Sequence, residues 1–97
     1  MQPFELQYRM IIEGIFQEVK EQTVKLTVDE AFLRYKDRVF SAAFNVCQNW
    51  SDADDVVQST FLKYYNLDLV FESEEHLKAW LLRVAINHAR DLTKSFW

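Results

Sequence analysis

Six residues near the end of the chain are of types that can do recognition chemistry, and their spacing is regular. His76, Trp80, Arg83, Asn87, Arg90 and Lys94 follow one another at intervals of 4, 3, 4, 3 and 4. On a helix such intervals place all six on one face. Arginine and lysine neutralise phosphates, an asparagine amide bonds base edges, and an indole stacks on a base. The same pattern also suits a plain solvated face, because any amphipathic helix must put its polar residues somewhere. Charge placement favours the first reading. Residues 76–97 carry a net charge of +3, residues 51–75 carry −6 and residues 1–50 carry −1, within a chain of net charge −4. One basic helix on a mildly acidic protein points to a polyanion site on one surface.

The element that must position these residues is Glu75–Lys94. It contains no Gly or Pro, and Leu, Ala and Arg supply nine of its twenty residues, so a helix of about 30 Å is expected. Leu77, Leu81, Val84, Ala85, His88 and Leu92 form its opposite, core-directed face. Ahead of it, Thr27-Val-Asp-Glu30 reads as a capping box, with Asp29 as an alternative cap, opening a helix to about Asn49. Phe32, Tyr35, Val39, Ala42, Ala43 and Val46 give that helix an inward stripe, widened by Phe40, Phe44 and Cys47. Arg34, Lys36, Asp37, Arg38 and Asn45 lie mostly outside.

Ser51 is the expected N-cap of a further helix, with acids in its first turn. Ala53, Val57, Phe61 and Tyr64 point inward. Asp55, Gln58, Ser59 and Leu62 make a separate polar face with one exposed leucine, which suits either solvent or a docked protein. Asn66–Glu74 breaks the periodicity and reads as a loop. Its Leu67, Leu69, Val70 and Phe71 either anchor it to the core or line a small pocket beside Trp80.

The first 28 residues are harder to read. Phe4, Tyr8, Ile11, Ile12, Ile15 and Val19 recur at helical intervals over Phe4–Gln22, behind Pro3 and around Gly14. That face could dock on the rest of the domain or make a homodimer. Thr23–Val28 alternates and is expected to be an extended connector.

Composition narrows the classes. With 97 residues, one Gly, one Pro and 49% hydrophobic content, a single all-α domain is expected. The single Cys47 cannot form an internal disulfide and reads as a buried, inert thiol. No basic start precedes an apolar run, and no apolar segment approaches the 18 residues of a membrane span, so a cytoplasmic protein is expected. The acid pairs Asp54-Asp55 and Glu74-Glu75 diverge along a helix. His76 and His88 lack partners at ligand spacing, and one Gly cannot build a phosphate loop. No enzyme, metal or cofactor site is expected.

Two blocks in this order, Ser-Asp-Ala-Asp-Asp-Val-Val-Gln-Ser-Thr-Phe-Leu-Lys (51–63) and Leu-Lys-Ala-Trp-Leu-Leu-Arg-Val-Ala-Ile-Asn-His-Ala-Arg-Asp (77–91), stand behind Phe-Leu-Arg-Tyr-Lys-Asp-Arg-Val-Phe (32–40). Together they resemble region 2 of a bacterial RNA polymerase sigma factor, of the extracytoplasmic-function (group IV) type, over about Asp29 to Lys94. The resemblance implies a compact bundle of three to four helices over 29–97, with 1–28 as an N-terminal extension. It implies that Asp55, Gln58, Ser59 and Leu62 dock on the β′ coiled coil of core polymerase. Ser59 departs from the family, where a Glu commonly follows the Gln, which weakens the expected charge at that face. It further implies that the last helix and its preceding loop open the promoter −10 element and hold flipped non-template bases. The matching positions are Trp80, Arg83, Asn87 and Arg90 with Phe71 to His76, and Lys94 extends the stripe. Trp80 suits either stacking on a base or packing. An anti-sigma factor is a further partner that the resemblance implies. A second helical domain reading the −35 element would follow in a full factor of this type, so the chain reads as one domain of a longer protein or a short sigma-like regulator. The rival reading is a helical protein–protein interaction domain, a sigma mimic or decoy that keeps the docking face and does not use DNA.

Overall fold

The computed structural model describes residues 23–94. The amphipathic Phe4–Gln22, with Pro3, Gly14 and the candidate dimer face, lies outside the described residues. Three helices follow in order: α1 (Val28–Cys47), α2 (Trp50–Leu67) and α3 (Glu74–Lys94), each packed on the other two. The all-α bundle anticipated from composition and periodicity is present, with three helices among the described residues.

The Thr27 capping box opens α1. Thr27 Oγ1 accepts from the Glu30 N–H, and Glu30 Oε1 accepts from the Thr27 N–H, both at 3.1 Å. These bonds satisfy two of the amide donors that a helix start leaves without partners. The helix stops at Cys47, two residues before the expected end. Gln48 takes a left-handed conformation (φ 55°), and its N–H and Nε2 both donate to the Phe44 carbonyl.

Asn49 does not close α1; it caps α2. Its backbone is extended (φ −142°, ψ 123°), and its side chain accepts from the Asp52 N–H at 2.9 Å. Ser51, the expected cap, therefore lies inside the first turn. Trp50 becomes the first residue of α2, and its ring meets Phe40 at 4.8 Å and Phe44 at 5.8 Å. This aromatic corner fixes the two-residue turn between the helices.

The core is formed by Ala31, Tyr35, Val39 and Ala43 of α1, Ala53, Val56, Val57, Phe61 and Tyr64 of α2, and Leu77, Leu81, Ala85 and Ala89 of α3. Leu77 and Leu81 are completely buried, and each contributes on the order of 1.5–3 kcal/mol. The α3 stripe is rotated from the expected one. Ala89 is buried, whereas Val84, His88 and Leu92 are half-buried. The i, i+4 row that ends in two alanines permits close helix approach, and the bulkier His88 is left at the edge between α2 and α3. On α1 the expected inward Phe32 is 37% exposed while neighbouring Ala31 is buried. Phe32 instead packs edge-on against Phe61 at 5.1 Å, with the Lys36 ammonium 5.5 Å from its ring centre. Ala42 and Val46 are half-buried.

Of the expected connector Thr23–Val28, residues 23–27 lie ahead of the helix, whereas Val28 is the first residue of α1, and the non-helical part has a partner. Val24 and Phe71 form an isolated antiparallel bridge. Val24, Leu26 and Val28 pack against the core cluster. Helix α2 runs to Leu67, and Asp68 (φ 50°) turns the chain into the loop before α3.

Candidate nucleic-acid interface and docking face

Helix α3 starts at Glu74, where Ser73 supports the first turn. Ser73 Oγ accepts from the His76 N–H at 3.2 Å and the Ser73 carbonyl accepts from the Leu77 N–H at 3.1 Å. Two cross-helix bonds then set the position of this end. Glu74 pairs with Arg34 of α1 and accepts the Tyr35 hydroxyl at 2.7 Å. Arg34, expected merely outside, therefore ties the outer side of α1 to the first turn of α3.

His76, Arg83, Asn87, Arg90 and Lys94 are all exposed along one face of α3, and Trp80 is half-buried on the same face. The stripe is continuous, but its members sit in different surroundings. His76 faces Glu72, with Nδ1 3.6 Å from a carboxylate oxygen. Trp80 joins Tyr64 and Phe71 in a three-ring cluster with centroid separations of 6.0–6.4 Å, in which the Tyr64 and Phe71 planes lie within 9° of parallel. Phe71 is half-buried there, so the aromatic cluster holds the loop on the bundle. Among the loop's apolar residues, Leu69 and Phe71 are half-buried and Val70 is 55% exposed; Leu67, expected in the loop, is the last residue of α2 and is 49% exposed.

Asn87 borders a shallow depression between α2 and α3 together with Ser59, Lys63, Val84, His88 and Asp91. Lys63 thereby adds a cation beside the stripe. Its lone position in an acidic stretch gave no periodic signal, and only the packing of α2 on α3 brings it there. Thr60, completely buried beside this depression, has no hydrogen-bond partner for its hydroxyl among the described residues.

The second face lies next to the first. Asp55, Gln58, Ser59 and Leu62 are exposed, Leu62 by 60%. With Asp52, His88 and Leu92 they line one shallow depression. Ser59 and His88 therefore border both faces, and His88, expected within the core, forms the ridge between them. A third surface was not legible in the sequence. Phe32, Lys36, Phe40, Trp50 and Val57 line a groove on the α1–α2 seam, with Trp50 71% exposed.

Four groups among the described residues have shifted acidities: the bond from the Thr27 N–H lowers the Glu30 carboxyl, and three others are raised. Burial, then the bond to Glu74, raises the Tyr35 phenol above its ordinary value. Burial raises the Tyr64 phenol above its ordinary value. Burial, and next the Asp52 charge, raises the Cys47 thiol, whose Sγ lies 4.0 Å from the Ala89 carbonyl. A raised thiol is a poor nucleophile. Among the described residues no three His, Cys, Asp or Glu side chains converge to hold a metal ion. No helix among them is long and apolar enough to cross a membrane.

A family model described as Sigma-70 region 2 matches residues 31–95. Among curated proteins, the RNA polymerase sigma factor NccH of Alcaligenes xylosoxydans xylosoxydans is 39% identical over 44 residues, which is 45% of this chain and 24% of that protein. The match thus spans about a quarter of that relative's length. No solved structure matches this chain.

Proposed function

The chain belongs to the sigma-70 region 2 family, and from that premise we propose that it is a transcription-initiation module of the extracytoplasmic-function type. It docks on the β′ coiled coil of core RNA polymerase through Asp55, Gln58, Ser59 and Leu62. It engages the non-template strand of the −10 element through α3 and the loop before it. The observation that carries this reading is the pairing of two unlike exposed faces on one bundle, one polar with a leucine and one basic, meeting at His88. The chain performs no catalysis in this role. Arg83, Arg90 and Lys94 meet phosphates, and Asn87 meets base edges. Trp80 and Phe71 chiefly hold the surface that receives an unstacked base, since their rings are already engaged with Tyr64. Few phosphates are neutralised, so binding to single-stranded DNA is weak and salt-sensitive.

The test is retention of the chain by core polymerase beside Gln58→Ala and Leu62→Ala, with single-stranded DNA binding measured beside Arg83→Ala and Arg90→Ala. Loss of retention in the first pair and of DNA binding in the second supports the reading. Retention that ignores Gln58 and Leu62 overturns the docking face. DNA binding that ignores both arginines overturns the stripe.

A second reading is favoured by the α1–α2 seam, where Trp50, Phe32 and Phe40 present aromatic surface suited to a protein partner. A helical interaction domain, a sigma mimic or decoy, would bind polymerase or an anti-sigma factor and be indifferent to Arg83→Ala and Asn87→Ala.

A further inference from the structure

We propose that Val24–Leu26, which lies outside the residues matched by the family model, is a latch that sets the conformation of the loop between α2 and α3. Two contacts join this segment to the loop, and a third joins it to Tyr64 of α2 beneath the loop. The Val24 N–H donates to the Phe71 carbonyl at 2.6 Å and the Phe71 N–H donates to the Val24 carbonyl at 2.9 Å. The Lys25 ammonium lies 2.7 Å from an Asp68 carboxylate oxygen. The Tyr64 hydroxyl donates to the Leu26 carbonyl at 2.6 Å. The latch therefore holds the loop at its start, through Asp68, and at its middle, through Phe71. Tyr64, the residue that Leu26 secures, is also the ring against which Phe71 stacks.

Without the latch, Phe71 would keep its ring packing and its backbone polar groups would be left without partners. A half-buried backbone with unpaired groups tends to move toward water. The loop's exposed Val70 and Glu72 would then sample many positions instead of one. The functional part of this inference rests on the reading above, in which this loop and α3 receive the non-template strand. Val24, Lys25 and Leu26 are positioning residues there, since they act through Phe71, Asp68 and Tyr64. An ordered loop receives an unstacked base without the entropic cost of ordering itself first.

The experiment uses the full 97-residue chain. Val24→Pro removes the donor to Phe71. Lys25→Glu reverses the charge facing Asp68, and Lys25→Glu with Asp68→Lys restores an opposite pair. Amide hydrogen exchange is read at the loop and at the α3 core, and binding of random-sequence single-stranded DNA is read alongside retention by core polymerase. Exchange at Phe71 and Glu72 is expected to rise about tenfold in Val24→Pro, with Leu81 and Ala85 unchanged. A rise of about twofold is expected in Lys25→Glu, reversed in the double variant. DNA binding should weaken by about threefold to tenfold in Val24→Pro while polymerase retention holds. Wild-type exchange at the loop in both single variants overturns the latch. Faster loop exchange with undiminished DNA binding overturns its part in recognition. If Val24→Pro loses helix content, the charge-reversal pair decides. Wild-type chain that binds no DNA overturns the reading of the previous subsection, and the exchange rates then decide the latch alone.

Discussion

The Tyr35 hydroxyl donates to Glu74 Oε2 at 2.7 Å across the α1–α3 boundary, and Arg34 reaches the other oxygen of the same carboxylate. One side chain at the first turn of α3 thus receives donors from two consecutive residues of α1. Glu74 also sits at the positive end of the α3 dipole, where a carboxylate is favoured. The orientation of the basic stripe depends on how this first turn is held.

Glu74→Ala should therefore destabilise the bundle by about 1–2 kcal/mol, chiefly through the Tyr35 bond. Arg34→Ala should cost less than about 1 kcal/mol, because that pair is nearly half exposed on both sides. Urea denaturation of the two variants beside wild type checks the order. An equal or larger loss in Arg34→Ala would transfer the main role to the ion pair.

Stability should fall at alkaline pH. The Tyr35 and Tyr64 phenols have folded-state values raised above their ordinary ones. Their contribution is fully present below the unfolded value, near about pH 10, and is lost as pH rises through the raised folded values. At the acid end Glu30 behaves oppositely. The Thr27 N–H holds its carboxyl below the ordinary value, so its contribution is present above the unfolded value and is lost as pH falls through the depressed one. Urea midpoints between about pH 8 and pH 11 should decline in wild type and decline less in Tyr35→Phe with Tyr64→Phe. Parallel profiles would remove the phenols as the cause.

Much of this was legible from local spacing, and the departures share one cause. The Thr27 capping box, the exposed Arg83, Asn87 and Arg90, and the buried Ala53, Val57, Phe61 and Tyr64 follow from periodicity and cap chemistry alone. The choice between Asn49 and Ser51 as cap does not, because both side chains cap well. Packing of Trp50 on Phe40 and Phe44 decides it by drawing Trp50 into the helix. The core row of α3 likewise turned on which of two neighbours, His88 or Ala89, meets another helix. A wheel of adjacent residues leaves that open, and close packing selects the alanine. The Val24–Phe71 bridge and the Tyr64–Phe71–Trp80 cluster join segments far apart in the chain, so no local pattern announces them. The same is true of Lys63 beside Asn87. Types and faces were readable; the meeting of one face with another was not.

The alanine row of α3 gives a packing prediction. Ala85 and Ala89 are completely buried where α3 meets its neighbours. Ala85→Leu should overpack that boundary and cost about 1–3 kcal/mol. Leu81→Ala, which leaves a cavity, should cost about 2–5 kcal/mol. Thermal melts followed by circular dichroism measure both. An Ala85→Leu protein as stable as wild type would mean that α3 can slide outward, which a close-packed row does not allow.

Cys47 should be slow to react. Burial and the Asp52 charge keep its thiol protonated, and the thiolate is the reactive form. Alkylation by iodoacetamide near pH 7.5 should run at least about tenfold slower than for free cysteine in the same buffer. Urea at a denaturing concentration should restore the free rate. Native and unfolded protein reacting alike would show that the α1–α3 boundary around Ala89 opens readily.

Lys63 offers the sharpest separation between a phosphate-facing surface and a merely charged one. It shares a depression with Asn87, whereas Lys36 lies on the α1–α2 seam beside Phe32 and Trp50. Both are lysines, so a nonspecific effect of net charge would treat them alike. If single-stranded DNA lies along the stripe, Lys63→Ala should reduce the slope of log affinity against log salt by about 0.7, the amount expected when one phosphate is no longer neutralised. Lys36→Ala should leave that slope unchanged. Binding isotherms at several salt concentrations distinguish them. Equal slopes for the two variants would place the strand elsewhere on the bundle, and a larger change in Lys36→Ala would move the polyanion site to the aromatic seam.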